Sequence, residues 1–217
     1  MTPSGILQIS DLRFAYPQQA PVVSGWSATI GAGLTLLYGD TGSGKSTLLR
    51  VLAGDVAPTA GRLAVQGIDL HADAQAYRRH VFFCDPSDAA VDAISARACT
   101  DRWAGDHAAF DRPGWQALAE GFGLLPHLDK PMYMLSTGSK RKVGLAAALA
   151  SQRPVTLLDE PAGALDAPSL RCLWRALAEL AVRPDRAVVI ASSDRIDRVP
   201  LAATISLPLL AQPVPAR

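Results

Sequence analysis

Over the first 38 residues the apolar positions fall in short runs separated by turn formers. Ile6-Leu7-Gln8-Ile9, Leu12-Arg13-Phe14, Trp26–Ile30 and Leu34–Tyr38 are such runs, and Gly31-Ala32-Gly33 divides the last two. Runs this short, bounded by glycine, predict a small β-meander. At Leu48-Leu49-Arg50-Val51-Leu52-Ala53 the pattern becomes that of an opening helix, which Gly54 should close. A turn at Ala57–Gly61 leads into a strand at Arg62–Val65. Residues 86–150 are rich in Ala, Asp and Arg, place Trp103 and Trp115 at helical positions, and predict a mostly helical inserted lobe. Val155–Leu158 and Ala187–Ile190 are continuous apolar runs suited to parallel strands buried on both faces. Between them Leu170, Leu173, Trp174, Leu177 and Leu180 follow helical spacing. Ala203–Leu207 reads as a last strand and Pro208–Arg217 as a loose tail. No internal repeat is visible, and alternating strands and helices predict an α/β fold.

Composition narrows this picture. At 217 residues the chain can bury a full core. Its 21 basic and 20 acidic residues nearly cancel, which argues against a nucleic-acid partner. Cys84, Cys99 and Cys172 are odd in number, lack metal-ligand spacing, and read as reduced thiols of a cytosolic protein. The N-terminus has neither a signal-peptide profile nor a myristoylation pattern. The longest apolar run, Val143–Ala150, is too short to cross a bilayer. Any work at a membrane therefore calls for another polypeptide to hold the chain there.

The chemistry concentrates in Gly39-Asp40-Thr41-Gly42-Ser43-Gly44-Lys45-Ser46-Thr47, a complete phosphate-binding loop between an apolar strand and a helix. Glycines let successive N–H groups curl around phosphate oxygens, and the helix N-terminus adds a favourable dipole. Lys45 supplies a cation for the β- and γ-phosphates and Ser46 a hydroxyl for Mg²⁺. The chain is therefore expected to bind a nucleoside triphosphate. Asp159 and Glu160 end the apolar run at Val155–Leu158, which delivers both carboxylates to the ligand-binding edge of an open sheet. Asp159 would hold Mg²⁺, directly or through water, and Glu160 would polarise the attacking water.

Leu157-Leu158-Asp159-Glu160-Pro161, followed by Ala164-Leu165-Asp166, resembles the Walker B and D-loop segments of the ATP-binding cassette (ABC) ATPases. Leu135-Ser136-Thr137-Gly138-Ser139 with Lys140-Arg141-Lys142 resembles their signature motif, and Tyr16 stands where the family stacks an aromatic on adenine. Tyr16 could equally be a core residue. The resemblance spans essentially the whole chain. It implies a P-loop NTPase core of ABC type (about 1–85 and 151–217), an N-terminal antiparallel β subdomain and a helical lobe (about 86–150). It also implies ATP and Mg²⁺ as ligands. The expected partners are a transmembrane permease subunit and a second cassette, identical or not, with the chain peripheral on the inner face of the membrane. Physically, Ser136 begins a helix and offers an anion-binding cap. In the family this cap, with Gly138, meets the γ-phosphate held by the other cassette. Lys140, Arg141 and Lys142, at a helix start where the dipole disfavours cations, read as a solvated face.

Three motifs depart from the family pattern. Thr137 and Ser139 replace a glycine and the glutamine of the signature. The Q-loop glutamine is replaced by Pro86, or by Asp85 if the register slips by one, and only Asp85 could offer an oxygen to Mg²⁺. Ser193 replaces the H-loop histidine, and a serine is shorter and carries no titratable ring nitrogen. The last two changes fall on hydrolysis more than on binding. The chain is thus expected to be a transport motor with Glu160 and Ser193 at its hydrolytic centre. The alternative is a degenerate regulatory cassette paired with an active one. A soluble ABC ATPase of DNA repair or translation lacks support, because there is neither a long coiled-coil insert nor a basic patch.

Overall fold

The computed structural model describes residues 5–84, 91–105 and 107–209. Two sheets share the molecule. Strands β1 (Leu7–Phe14), β2 (Val23–Ile30), β4 (Ala60–Val65) and β5 (Ile68–Asp69) form an antiparallel sheet in the order β2-β1-β4-β5. Strands β3 (Gly33–Tyr38), β6 (Val81–Phe83), β7 (Val155–Asp159), β8 (Ala187–Ser192) and β9 (Ala203–Ser206) form a parallel sheet in the order β6-β7-β8-β3-β9. The expected α/β class with a separate antiparallel unit is thus the observed one.

The expected meander is not. Leu7–Ile9 and Leu12–Phe14 belong to one strand, which Ile6 immediately precedes and a register shift around Asp11, whose φ is +46°, interrupts. Such a bulge lets β1 bend while keeping both halves paired. Leu34–Tyr38 leaves the first sheet and lies between β8 and β9 in the second. The burial patterns show why. In β1 buried and exposed positions largely alternate, as on a sheet with one wet face, whereas Gly33–Leu37 of β3 are buried without interruption.

Helix α1 (Lys45–Ala53) covers one face of the parallel sheet against β6, β7 and β8, and Gly54 closes it in the left-handed region with φ +77°. Helix α2 (Ala74–Arg79) packs between β5 and β6. Helices α3 (Ala96–Ala104), α4 (Arg112–Gly121) and α5 (Thr137–Ala150) follow, with Trp103 in α3 and Trp115 in α4, and α6 (Ala167–Ala181) covers the opposite sheet face at β3. Successive residues of β8 divide between the two cores: Val188 and Ile190 face α5 and α6, whereas Ala187, Val189 and Ala191 face α1. Helix α5 serves both the lobe and the sheet, since it packs on α3, α4 and α6 and also on β7. Its last two turns, Val143–Ala150, are buried at every position. That run is a helix sealed on all sides, and among the described residues no helix is long and apolar enough to cross a membrane.

Cys84, Cys99 and Cys172 form no disulfide, and Cys99 and Cys172 are buried. Leu209, expected in a loose tail, bridges Val23 and packs against the core, and residues 210–217 lie outside the described residues. Phe82 and Trp103 pack edge to face at 6.3 Å, in keeping with core residues.

One buried cation was not apparent from the sequence. Arg186 is 1% exposed and donates to the carbonyls of Leu149 (3.0 Å) and Ala148 (3.3 Å) and to Thr156 Oγ1 (2.8 Å). It therefore satisfies the C-terminal carbonyls of α5 and ties that helix to β7. Burial, with the neighbouring Arg183, pulls its pKa down to about 10. Replacing Arg186 with Ala should lower stability by about 3 kcal/mol, because three buried acceptors lose their donors at once. Urea unfolding measures this, and a loss under about 1 kcal/mol would show that water replaces the guanidinium.

Candidate functional site

The phosphate loop leaves β3 at Tyr38 and is pinned to the neighbouring strand where Gly39 N–H donates to Ser192 O (3.3 Å). Gly44 has φ +94°, and a Cβ there would come within 2.5 Å of Val22 Cγ1, so the position requires glycine. Leu48 N–H then donates to Gly44 O (2.8 Å) and α1 begins with no side chain capping it. Its first N–H groups are thereby left for an anion. Asp40, Thr41, Gly42 and Ser46 are exposed and Thr47 is half-buried. Ser43 N–H donates to Asp40 O (3.1 Å), while its hydroxyl is buried against Gly39.

Lys45 lies under this loop, 5% exposed. Its Nζ donates to the carbonyls of Gly39 (2.7 Å) and Asp40 (3.0 Å) and stands 3.4 Å from Glu160 Oε1. An ammonium this buried is tolerable only because oxygens replace its water. A triphosphate would offer oxygens of higher charge in the same place.

Strand β7 brings Asp159 and Glu160 to this point. Asp159 Oδ1 is buried without a hydrogen-bond partner, and burial pushes its carboxyl pKa up, opposed by a hydrogen bond with Ser46. An orphaned carboxylate oxygen beside a hydroxyl is a hard-oxygen donor set that fits Mg²⁺, whose remaining ligands would be phosphate and water. Among the described residues no group of three or more His, Cys, Asp or Glu could hold a metal ion. Asp85 and Pro86 lie outside the described residues.

Glu160 follows with φ +44°, strained for a residue with a side chain. Its Oε1 accepts from Ser193 N–H (2.8 Å). Reasoning from side-chain type alone misses this contact, because the donor is the backbone and any residue at 193 except proline could supply it.

Ser136 caps α5 by accepting from Ser139 N–H (3.1 Å), and the two hydroxyls are 3.0 Å apart. Gly138 lies against the loop after Glu160, where a Cβ would sit 2.6 Å from Ala164 O. The basic triplet departs from the expected solvated face. Lys140 pairs with Asp92 (2.6 Å), Arg141 donates to Gly163 O (2.6 Å), and Lys142 pairs with Asp166 (2.9 Å). Opposing oxygens offset the unfavourable dipole. Asp166 in turn caps α6 through Ser169, which with Lys142 holds its carboxyl far below the usual range. Three cations at a helix start were the available sign that oxygens must face them. Tyr16 is half-buried, edge-on to Phe14 at 5.0 Å, in a loop that returns through Val22 to the phosphate loop. It packs on the core and keeps a partly open face.

The structure therefore gathers residues 39–47, Asp159, Glu160 and Ser193 at one edge of the parallel sheet. The signature residues face the loop beyond Glu160 in the same chain, and no described contact joins Ser136 to the phosphate loop.

A glycine-bent loop between a central parallel strand and a helix, with paired carboxylates at a nearby strand end, defines a P-loop nucleotide-binding domain. The family model "ABC transporter" matches residues 24–163. The chain belongs to the ABC transporter family, as its nucleotide-binding domain. It is 40% identical over 158 residues to the cytochrome c biogenesis ATP-binding export protein CcmA of Paramagnetospirillum magneticum, covering 71% of this chain and 72% of that one. It is 29% identical over 201 residues to the phosphonates import ATP-binding protein PhnC 1 of Rhodopseudomonas palustris (85% and 74% covered). The fold matches a putative ABC transporter ATP-binding protein from Pyrococcus furiosus with a TM-score of 0.73, 23% identity, and 93% and 96% covered.

Ionised Asp159 burdens the free fold at neutral pH, since burial favours its protonated form. Asp159→Asn should raise the stability of the nucleotide-free chain by about 1 kcal/mol, the trade typical of an unsatisfied site residue. The same variant should lose the Mg²⁺ dependence of ATP binding. Chemical unfolding and binding titrations with and without EDTA check both outcomes.

Proposed function

We propose that this chain is the ATP-hydrolysing subunit of a membrane transporter, in which two cassettes close on nucleotide and reopen after hydrolysis to move a transmembrane partner. One observation carries the reading. Glu160 is held beside the phosphate loop by Lys45 and by the Ser193 amide, where a general base would be needed. In this reading the loop residues Gly39 to Thr47 bind the triphosphate, Tyr16 stacks on the base, and Ser46 and Asp159 hold Mg²⁺, with Asp85 as a further candidate. Bound Mg²⁺ would neutralise charge on the β- and γ-phosphates. Lys45 exchanges its present oxygens, the Glu160 carboxylate among them, for phosphate oxygens, which frees Glu160 to accept a proton from water. Ser136 and Gly138 of the partner cassette seal the opposite side of the nucleotide. An export protein and an import protein among the relatives both support a transport role. The permease would hold the chain at the inner face of the membrane and choose the cargo.

Ser193 favours a second reading, a slow regulatory cassette paired with an active one. Its amide orients Glu160, but its side chain is too short to bridge water and γ-phosphate as an imidazole would.

Glu160→Gln should lower ATP turnover of the purified chain by about 10²- to 10⁴-fold while ATP binding stays intact. Equal inertness of wild type and variant would overturn the motor reading in favour of the regulatory one. Ser193→His should raise turnover several-fold, since the backbone contact to Glu160 survives the change. An unchanged rate would show that position 193 acts through its amide alone.

A further inference from the structure

Helix α5 presents Gly138, Arg141 and Lys142 at i, i+3 and i+4, so all three lie on one face. Opposite that face runs the loop between Glu160 and α6. Gly138 abuts Ala164 O, Arg141 Nη1 donates to Gly163 O at 2.6 Å, and Lys142 pairs with Asp166. The middle contact has a consequence for the carboxylate. Gly163 N–H donates back to Glu160 O (3.0 Å), closing a tight turn through Pro161 and Ala162. At the head of that turn Glu160 is held in the left-handed region, a conformation that persists only when its surroundings enforce it. Arg141 grips the far end of the same turn with a charge-assisted hydrogen bond. It also lines, together with Asp159, a cavity of about 300 Å³ between the lobe and the sheet.

We propose that Arg141 is a positioning residue. It clamps the Gly163 carbonyl to the signature helix, so that the Glu160 turn and the Ser136 cap move as one body. The inference rests on the hydrolytic reading for its functional consequence, though not for the clamp itself. A cap displaced by a partner's nucleotide would then carry the Glu160 carboxylate with it, through one guanidinium and one turn. Lys142 acts further along, on the α6 cap, and leaves the turn at Glu160 to Arg141.

The test uses Arg141→Ala and Arg141→Lys in the full chain, with three readouts. Steady-state kinetics should show kcat reduced about tenfold or more in the Ala variant, with KM and the Kd for ATP changed by less than about twofold. The Lys variant, which keeps one cationic donor, should recover most of the lost kcat. Hydrogen–deuterium exchange over residues 160–166 should quicken about fivefold or more in Arg141→Ala and return toward wild type in Arg141→Lys. An unchanged kcat in Arg141→Ala overturns the proposal. So does a loss in which kcat, KM and Tm worsen together without rescue by lysine, since that is the mark of a mere brace. If the wild type shows no turnover, the hydrolytic reading fails instead, and exchange alone decides the clamp. Faster exchange confined to 160–166 then upholds it, and unchanged exchange overturns it.

Discussion

The site is organised around a buried ammonium. Lys45 reaches its 5% exposure only because two loop carbonyls and the Glu160 carboxylate stand in for water. Each of those oxygens belongs to a different structural obligation. Gly39 is pinned to β8 through Ser192, Asp40 closes a turn with Ser43, and Glu160 is tied to Ser193. Remove the cation and three acceptors from two segments, the phosphate loop and the end of β7, lose their common partner. With it in place, the phosphate loop, the β7 terminus and the β8 terminus are drawn to one point, where a triphosphate can replace the loop's own carbonyls.

A second constraint works at longer range. Helix α5 begins at an exposed serine cap and ends fully buried, where Arg186 gathers its last carbonyls to β7. A helix anchored so firmly at its C-terminal end transmits position to its N-terminal turn. There Gly138, Arg141 and Lys142 meet the loop that follows Glu160. The carboxylates and the signature cap thus share β7 and α5 as a common frame.

The fold was legible wherever pattern and local chemistry agreed. Continuous apolar runs marked β7 and β8 as central strands, the spacing of Leu170 to Leu180 marked α6, and Gly54 marked the end of α1. The reading failed at Leu34–Tyr38, because a short apolar run next to a turn looks the same in a meander and in a parallel core. Only its non-local pairing with β8 and β9 separates the two. It failed again at Lys140–Lys142. A sequence shows three cations and a dipole that opposes them, but the oxygens that resolve the conflict lie 22 and 24 residues ahead of Arg141 and Lys142 and 48 behind Lys140.

The residue types and spacing of Gly39 to Thr47, Asp159 and Glu160 are properties of the chain read alone, since local backbone geometry and side-chain chemistry act over a few neighbours. Membership of the ABC transporter family was likewise visible in its motifs. Tertiary structure decided what those groups touch: Lys45 under its own loop, Glu160 on a main-chain amide of Ser193, Arg141 on a carbonyl of the loop after β7. Such contacts join residues far apart in sequence, and packing, not spacing, chooses the partner of a buried charge.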